Sequence, residues 1–372
     1  MLTPCLCCAT ALITVALSTA AQEVQIGITG ELDTRVPIAV PPFVAPPELG
    51  ETASEMAAVI SYDLAFTGLF KILAPGDYPP NFTALEEDVT QLNLDIWRQT
   101  EAEYLVYGKI TAEGDALVTQ LRLFDLLARN QVTGQELRAE RNLARLIAHR
   151  FSEEVVRYLE GTAGIATSEI AFSGGATGKK EIFVADYDGA NLRQVTEHNS
   201  ISIMPEMSPD GNRIAYLSYK DRYGYLYVFD RRTGQSRLFS REVGLNAAPA
   251  WSPDGERIAH VLSKDGNTEI YVRGADGGNL TRLTNNRFGD TSPVFSPDGS
   301  RIAFVSDRLG GAQVFAMNAD GSGQERLSKQ GGSSYDPAWS PDGRYIAYVV
   351  EQRGQGLEIW MMNADGTNAR RL

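Results

Sequence analysis

Beyond residue 8 the 372-residue chain contains no cysteine; Cys5, Cys7 and Cys8 are crowded at its start. If a leader carrying them is removed, disulfides and thiolate metal sites are both excluded. Histidine is nearly as scarce, and His149, His198 and His260 form no pair at metal-ligand spacing, so zinc or two-metal chemistry has little to work with. No G-x-S-x-G nucleophile elbow occurs, and "FSGGATGKK" lacks the spacing of a phosphate-binding loop. Neither a catalytic centre nor a cofactor is therefore expected. Basic residues are outnumbered, 34 to 47, and the net charge of −13 argues against nucleic acid as partner. Long apolar runs are missing too. The single candidate, "ATALITVALSTAAQ", is too short for a permanent span and reads as the core of a signal peptide over residues 1–21, although "MLTPC" has none of the usual basic residues. An exported chain without direct membrane insertion is expected.

What is present divides in two. With 43% hydrophobic and 22% charged residues the chain can build more than one core. Residues 22–160 read as a mixed α/β domain. Val24, Ile26 and Ile28 alternate as in a half-buried strand, and Met56, Val59, Ile60 and Leu64 share one face of a helix. A hairpin turns around Glu113, Gly114 and Asp115. A second long helix carries Leu143, Ile147, Phe151 and Val155 on its apolar face, has His149 on its surface, and stops near Gly161. The linker is placed at 161–167.

From residue 168 to 372 the chain repeats. "MSPDGNRIAY", "WSPDGERIAH", "FSPDGSRIAF" and "WSPDGRYIAY" place Pro209, Pro253, Pro297 and Pro341 44 residues apart. A second turn comes at Asp188-Gly189, Asp276-Gly277, Asp320-Gly321 and Asp365-Gly366, with Thr233-Gly234 in the remaining unit. Four short strands per repeat of this length indicate a β-propeller, with five blades visible. Ser-Pro-Asp-Gly is read as turn chemistry, with proline presetting φ and glycine taking positive φ, in preference to four acidic loops gathering a metal. Trp251, Phe295 and Trp339 are read as packing between blades, and His260 as a structural residue of a blade strand.

These repeats resemble the PD40 group of WD40-like propellers. Their pairing with an exported α/β domain carrying "VQIGITG", "PIAVPPF" and "DLAFTGLF" resembles the TolB family of the periplasmic Tol-Pal system. The resemblance implies six blades, and the first unit, starting at "SEIAFSG", lacks its inner strand. A further stretch on the order of 55–60 residues, one repeat plus a closing strand, is therefore expected beyond Leu372. It also implies a monomeric periplasmic adaptor with two protein partners. Pal, the peptidoglycan-associated lipoprotein, would meet the propeller mouth, where the carried-over positions are Met204, Leu245, Asn246, Ala248, Thr291 and Tyr335. TolA would take the segment after the leader, Glu23, Val24, Gln25, Ile26, Gly27 and Ile28, by strand addition. The alternative is a propeller that screens peptides for a hydrolase or holds a small ligand.

Overall fold

The computed structural model describes residues 34–372 except 81, 83, 84, 163, 176–178 and 353–355. The signal-peptide reading and the TolA segment Glu23 to Ile28 lie outside the described residues. No described helix is long and apolar enough to cross a membrane.

The described residues form two compact units, divided after Arg138. In the first, β1 (Val36–Ala39) runs parallel to β2 (Phe70–Ile72) and β3 (Tyr104–Glu113). The helix α1 (Gly50–Phe66) links β1 to β2 and buries Met56, Val59, Ile60 and Leu64, as its spacing requires. β3 returns through Gly114-Asp115, with Gly114 at φ 62°, into antiparallel β4 (Ala116–Asp125). β5 (Asn130–Glu140) completes the order β2-β1-β3-β4-β5 and runs across the division between the units. A helix of four residues, α2 (Leu94–Trp97), escapes the sequence reading because one turn carries no periodicity; it delivers Trp97 to the core against Tyr78 and Phe82.

The second unit opens with α3 (Ala144–Glu160), which buries Ile147, Phe151 and Val155. It ends at left-handed Gly161, whose N–H donates to the Arg157 carbonyl. Leu143 corrects the expected apolar face: it precedes the first helical turn and is exposed. The boundary after residue 160 differs from the compact units, because α3 is tied to the segment after it and to the first blade. Glu153 accepts hydrogen bonds from the Thr167 amide and hydroxyl, and Arg145 pairs with Asp188 of the first blade.

Five antiparallel sheets make up the remainder. Blade I has three strands, Glu169–Gly174, Glu181–Asp186 and Arg193–Gln194. Blades II to V have four each, and their inner strands are Ser202–Met207, Asn246–Trp251, Asp290–Phe295 and Ser333–Trp339. Each Ser-Pro-Asp-Gly turn is closed by its own side chains. The serine hydroxyl donates to the aspartate, and the aspartate accepts the amide beyond the glycine: Asn212, Glu256, Ser300 and Arg344 at 2.9 to 3.1 Å. These bonds hold the carboxyls of Asp298 and Asp342 down near about 2. Every carboxylate is thus committed to its own turn.

Trp251 packs among Ala215, Leu217, Leu226 and Val228 of the preceding blade, and Phe295 among Ala259, Val261, Ile270 and Val272 of its own predecessor. The second turns press on neighbours as well. At Gly321, φ 90°, a Cβ would meet the Leu283 carbonyl oxygen at 2.7 Å, whereas at Gly277, φ 98°, it would meet only the tip of Arg237 at 3.9 Å. Gly321→Ala should therefore cost about 2 kcal/mol or more, left-handed strain plus a backbone clash, and Gly277→Ala only about 1 kcal/mol from strain. Urea midpoints of the two variants check this, and equal losses would show that the contact across blades is immaterial.

Candidate interaction face

In an antiparallel four-stranded blade the start of the inner strand, the hairpin between strands two and three, and the end of the outer strand all lie at one end. The loops between blades therefore share a face with these hairpins, opposite the Ser-Pro-Asp-Gly turns. The loops are held from beneath by buried polar side chains. Asn199 N–H donates to Glu181, Asn286 N–H to Glu269, and the Ser328 hydroxyl to Gln313. Asp290, fully buried, is gripped by both Arg308 and Asn286. These bonds fasten the described loops to the blades beneath them, although their residues vary from blade to blade.

Each inner strand then bulges at the same place. Met204, Ala248, Ser292 and Asp336 adopt positive φ of 55°, 47°, 49° and 48°, each directly before a proline. The ladder registers skip there, setting two residues against one. The single residue opposite is Tyr216, His260, Phe304 or Tyr348, every one fully buried. A large buried ring thus occupies the register position opposite each left-handed non-glycine residue. At His260 the ring lies edge-on to Phe239 at 5.6 Å, and burial brings its pKa down to about 4. Glu206, two residues past the first bulge, keeps contact with water but is crowded by protein, which pushes its carboxyl up to about 7.

The positions expected at the mouth separate by role. Met204 and Leu245 are exposed, and Thr291 and Tyr335 half-buried at equivalent points one blade apart, Tyr335 donating to Glu351 at 3.2 Å. Ala248 is half-buried within its bulge. Asn246 is a correction: it is fully buried, accepts from the Ser240 hydroxyl and Glu242 amide, and donates to the Glu242 and Gly244 carbonyls, so it shapes the loop from inside. The sequence reading missed Ser292 and Asp336, whose side chains touch at 3.2 Å, though both immediately precede a repeated proline. It also missed exposed apolar residues on this face, Val243 at 84% and Tyr223 at 67% with Ile201, Tyr219 and Leu309. Apolar residues inside otherwise polar loops were the available signal.

His149 corrects a second expectation, because it is buried. Its Nε2 lies 3.8 Å from Asp188, and together with Asp186 these groups come within 4.8 Å of one another. Arg145 pairs with Asp188, so the charge of that carboxylate is met from the chain itself.

A repeated scaffold of four-stranded blades with non-repeated loops at one end defines a β-propeller. The profile described as TolB beta propeller domain matches residues 156–372, and that described as TolB amino-terminal domain matches residues 24–132. The chain belongs to the TolB β-propeller family. It is 34% identical over 230 residues to the Tol-Pal system protein TolB of Desulfosudis oleivorans, covering 61% of this chain and 52% of that one. It is 36% identical over 229 residues to that of Nitrosococcus oceani, covering 60% and 51%. The chain thus matches about half the length of these curated relatives. The crystal structure of TolB from Acinetobacter baumannii superposes with a TM-score of 0.80 at 25% identity, covering 91% of this chain and 82% of that one.

Proposed function

We propose that this chain is a periplasmic, non-catalytic adaptor of the Tol-Pal system that binds Pal through the loop face of its propeller and TolA through residues 23–28, serving outer-membrane integrity and constriction during division. The observation that carries the Pal half is the exposure of Met204, Leu245, Val243 and Ile201 on loops anchored by buried polar groups. Apolar side chains held out on anchored loops gain on burial and lose little entropy in docking. The TolA half rests on family membership and on the period-2 alternation of Val24, Ile26 and Ile28, which suits strand addition.

Calorimetric titration with the soluble domain of Pal tests the reading. Leu245→Arg and Thr291→Arg should each weaken binding at least tenfold, about 1.4 kcal/mol, with the circular dichroism spectrum unchanged. A folded wild-type chain that releases no heat would refute it. Removal of residues 22–28 should abolish TolA capture and leave Pal binding in place; loss of both would tie the segment to folding instead.

A further inference from the structure

The loop face and its opposite carry different charge. On the turn face, Asp210, Asp254, Asp298 and Asp342 are exposed and held ionised by the serine and amide bonds of their turns. Several arginines of the propeller are neutralised, Arg257 by Asp254, Arg273 by Glu242, Arg282 by Glu269, Arg301 by Glu325 and Arg308 by Asp290, while Arg213, Arg237 and Arg326 donate to the carbonyls of Gly255, Ala275 and Ser328. Three arginines of the loop face differ from these. Arg222, Arg241 and Arg287 are exposed, and among the described residues none has a carboxylate within ion-pair distance. Arg222 is the tip of the hairpin of blade II, whose strands Arg213–Asp221 and Tyr223–Asp230 outrun the six-residue strands of blades III and IV. Arg241 begins the loop from blade II to blade III, and Arg287 lies within that from blade III to blade IV. All three therefore lie on the loop face.

Two are accompanied by an aromatic ring. The Arg241 guanidinium stands 5.5 Å from the Tyr225 ring and that of Arg287 5.0 Å from Phe288, while exposed Tyr223 follows Arg222 in the chain. A ring beneath a guanidinium restrains its plane without consuming its hydrogen-bond donors. The acidic groups near this arc are engaged, Glu242 with Arg273, Asp265 with Lys264 and Tyr271, exposed Asp221 with the Tyr227 hydroxyl, and exposed Asp307 with the Gly289 amide. Glu197, Asp336 and Glu351 lie toward blades I and V. The arc of blades II to IV is thus locally basic on a chain whose net charge is −13.

We infer that Arg222, Arg241 and Arg287 form an arginine and aromatic arc that receives an acidic surface of the protein partner. The inference deepens the Pal reading and rests on it only for the partner's identity. Charge on one face steers association, accelerating encounter at low salt and losing influence as ionic strength shortens the screening length.

Two titrations separate the claims, each with the wild-type chain, the triple variant Arg222→Glu, Arg241→Glu, Arg287→Glu, and the triple arginine-to-lysine variant. Poly-L-glutamate asks about the arc alone. Wild type should bind it at low salt, the lysine variant should bind within a few-fold, and the glutamate variant at least tenfold more weakly. Wild type that does not bind, or a glutamate variant equal to it, overturns the inference whatever Pal does. If the triple reversal fails to fold, Arg222→Glu at the hairpin tip replaces it, with a threefold loss expected and no loss overturning. With Pal, the glutamate variant should associate about tenfold more slowly at low salt, the gap closing in high salt. Unchanged rates would show that Pal is not received through the arc, whereas wild type that does not bind Pal refutes the Pal reading and leaves the arc to the first titration.

Discussion

Replacing Trp251 with alanine should destabilise the propeller by about 4 kcal/mol, the loss expected when a large buried aromatic leaves a cavity. The indole joins three contributions across one seam between blades. Its apolar surface fills the space between Ala215, Leu217, Leu226 and Val228 of blade II and Ile258 of its own blade. Its Nε1 donates to the Glu206 carbonyl at 3.0 Å, and Arg213 stacks above it at 4.5 Å while donating to the Gly255 carbonyl. Trp251→Phe keeps most of the packing and should lose about 1 kcal/mol with the hydrogen bond. Trp339 is the internal comparison. It is only half-buried and its Nε1 has no hydrogen-bond partner, so Trp339→Ala should cost about half as much. Urea denaturation followed by tryptophan fluorescence and far-ultraviolet dichroism measures all three. If the two alanine variants lie within about 0.5 kcal/mol of each other, the seam at Trp251 is not the strong one.

His260 should make the propeller acid-sensitive. Its neutral ring is shut in a core position, with Nδ1 3.3 Å from the Ile258 carbonyl, and a protonated ring would also face the charge of Arg273. The folded protein therefore takes up the proton only near pH 4, while the unfolded chain takes it near pH 6.5. Above 6.5 neither state is protonated and the stabilisation is complete. As pH falls from 6.5 to about 4 the unfolded state gains the proton alone, and about 3 kcal/mol is lost. Glu206 acts with the opposite sign, because a carboxyl pushed up to about 7 favours the folded state most below 4.5 and loses that advantage as pH rises through 7. Comparison of wild type with His260→Phe removes the Glu206 contribution, which is common to both. Their stabilities should diverge by at least about 1.5 kcal/mol between pH 7.5 and pH 4.5, with the phenylalanine variant the more stable in acid. Parallel curves would mean that the ring is protonated in the folded state without penalty.

Much of the scaffold was legible along the chain. The 44-residue spacing of Ser-Pro-Asp-Gly located the first turn of each of blades II to V, since proline, aspartate and glycine each meet a steric or hydrogen-bonding demand within four residues. Helices α1 and α3 and the Gly114 hairpin were equally visible, for the same local reason. Legibility declined where a side chain's role depends on a distant segment. Asn246 looked like a surface loop residue and His149 like a helix-surface one. Both are buried because other elements, the Glu242 loop and Asp188 of blade I, close over them.

The period, the turns, the strand pattern and the aromatic ring that meets each neighbouring blade are written into the chain, because they arise from short-range sterics and from alternation of apolar residues. Which loop residues are exposed on the loop face is decided by the assembled blades alone. Met204, Ala248, Ser292 and Asp336 are left-handed where each inner strand bulges opposite a buried ring of the adjacent strand. Arg222, Arg241 and Arg287 share one face because an antiparallel blade returns its hairpin to the end where the next blade begins. Exposure and charge at that face are sums over segments far apart in the chain, and no local pattern records them.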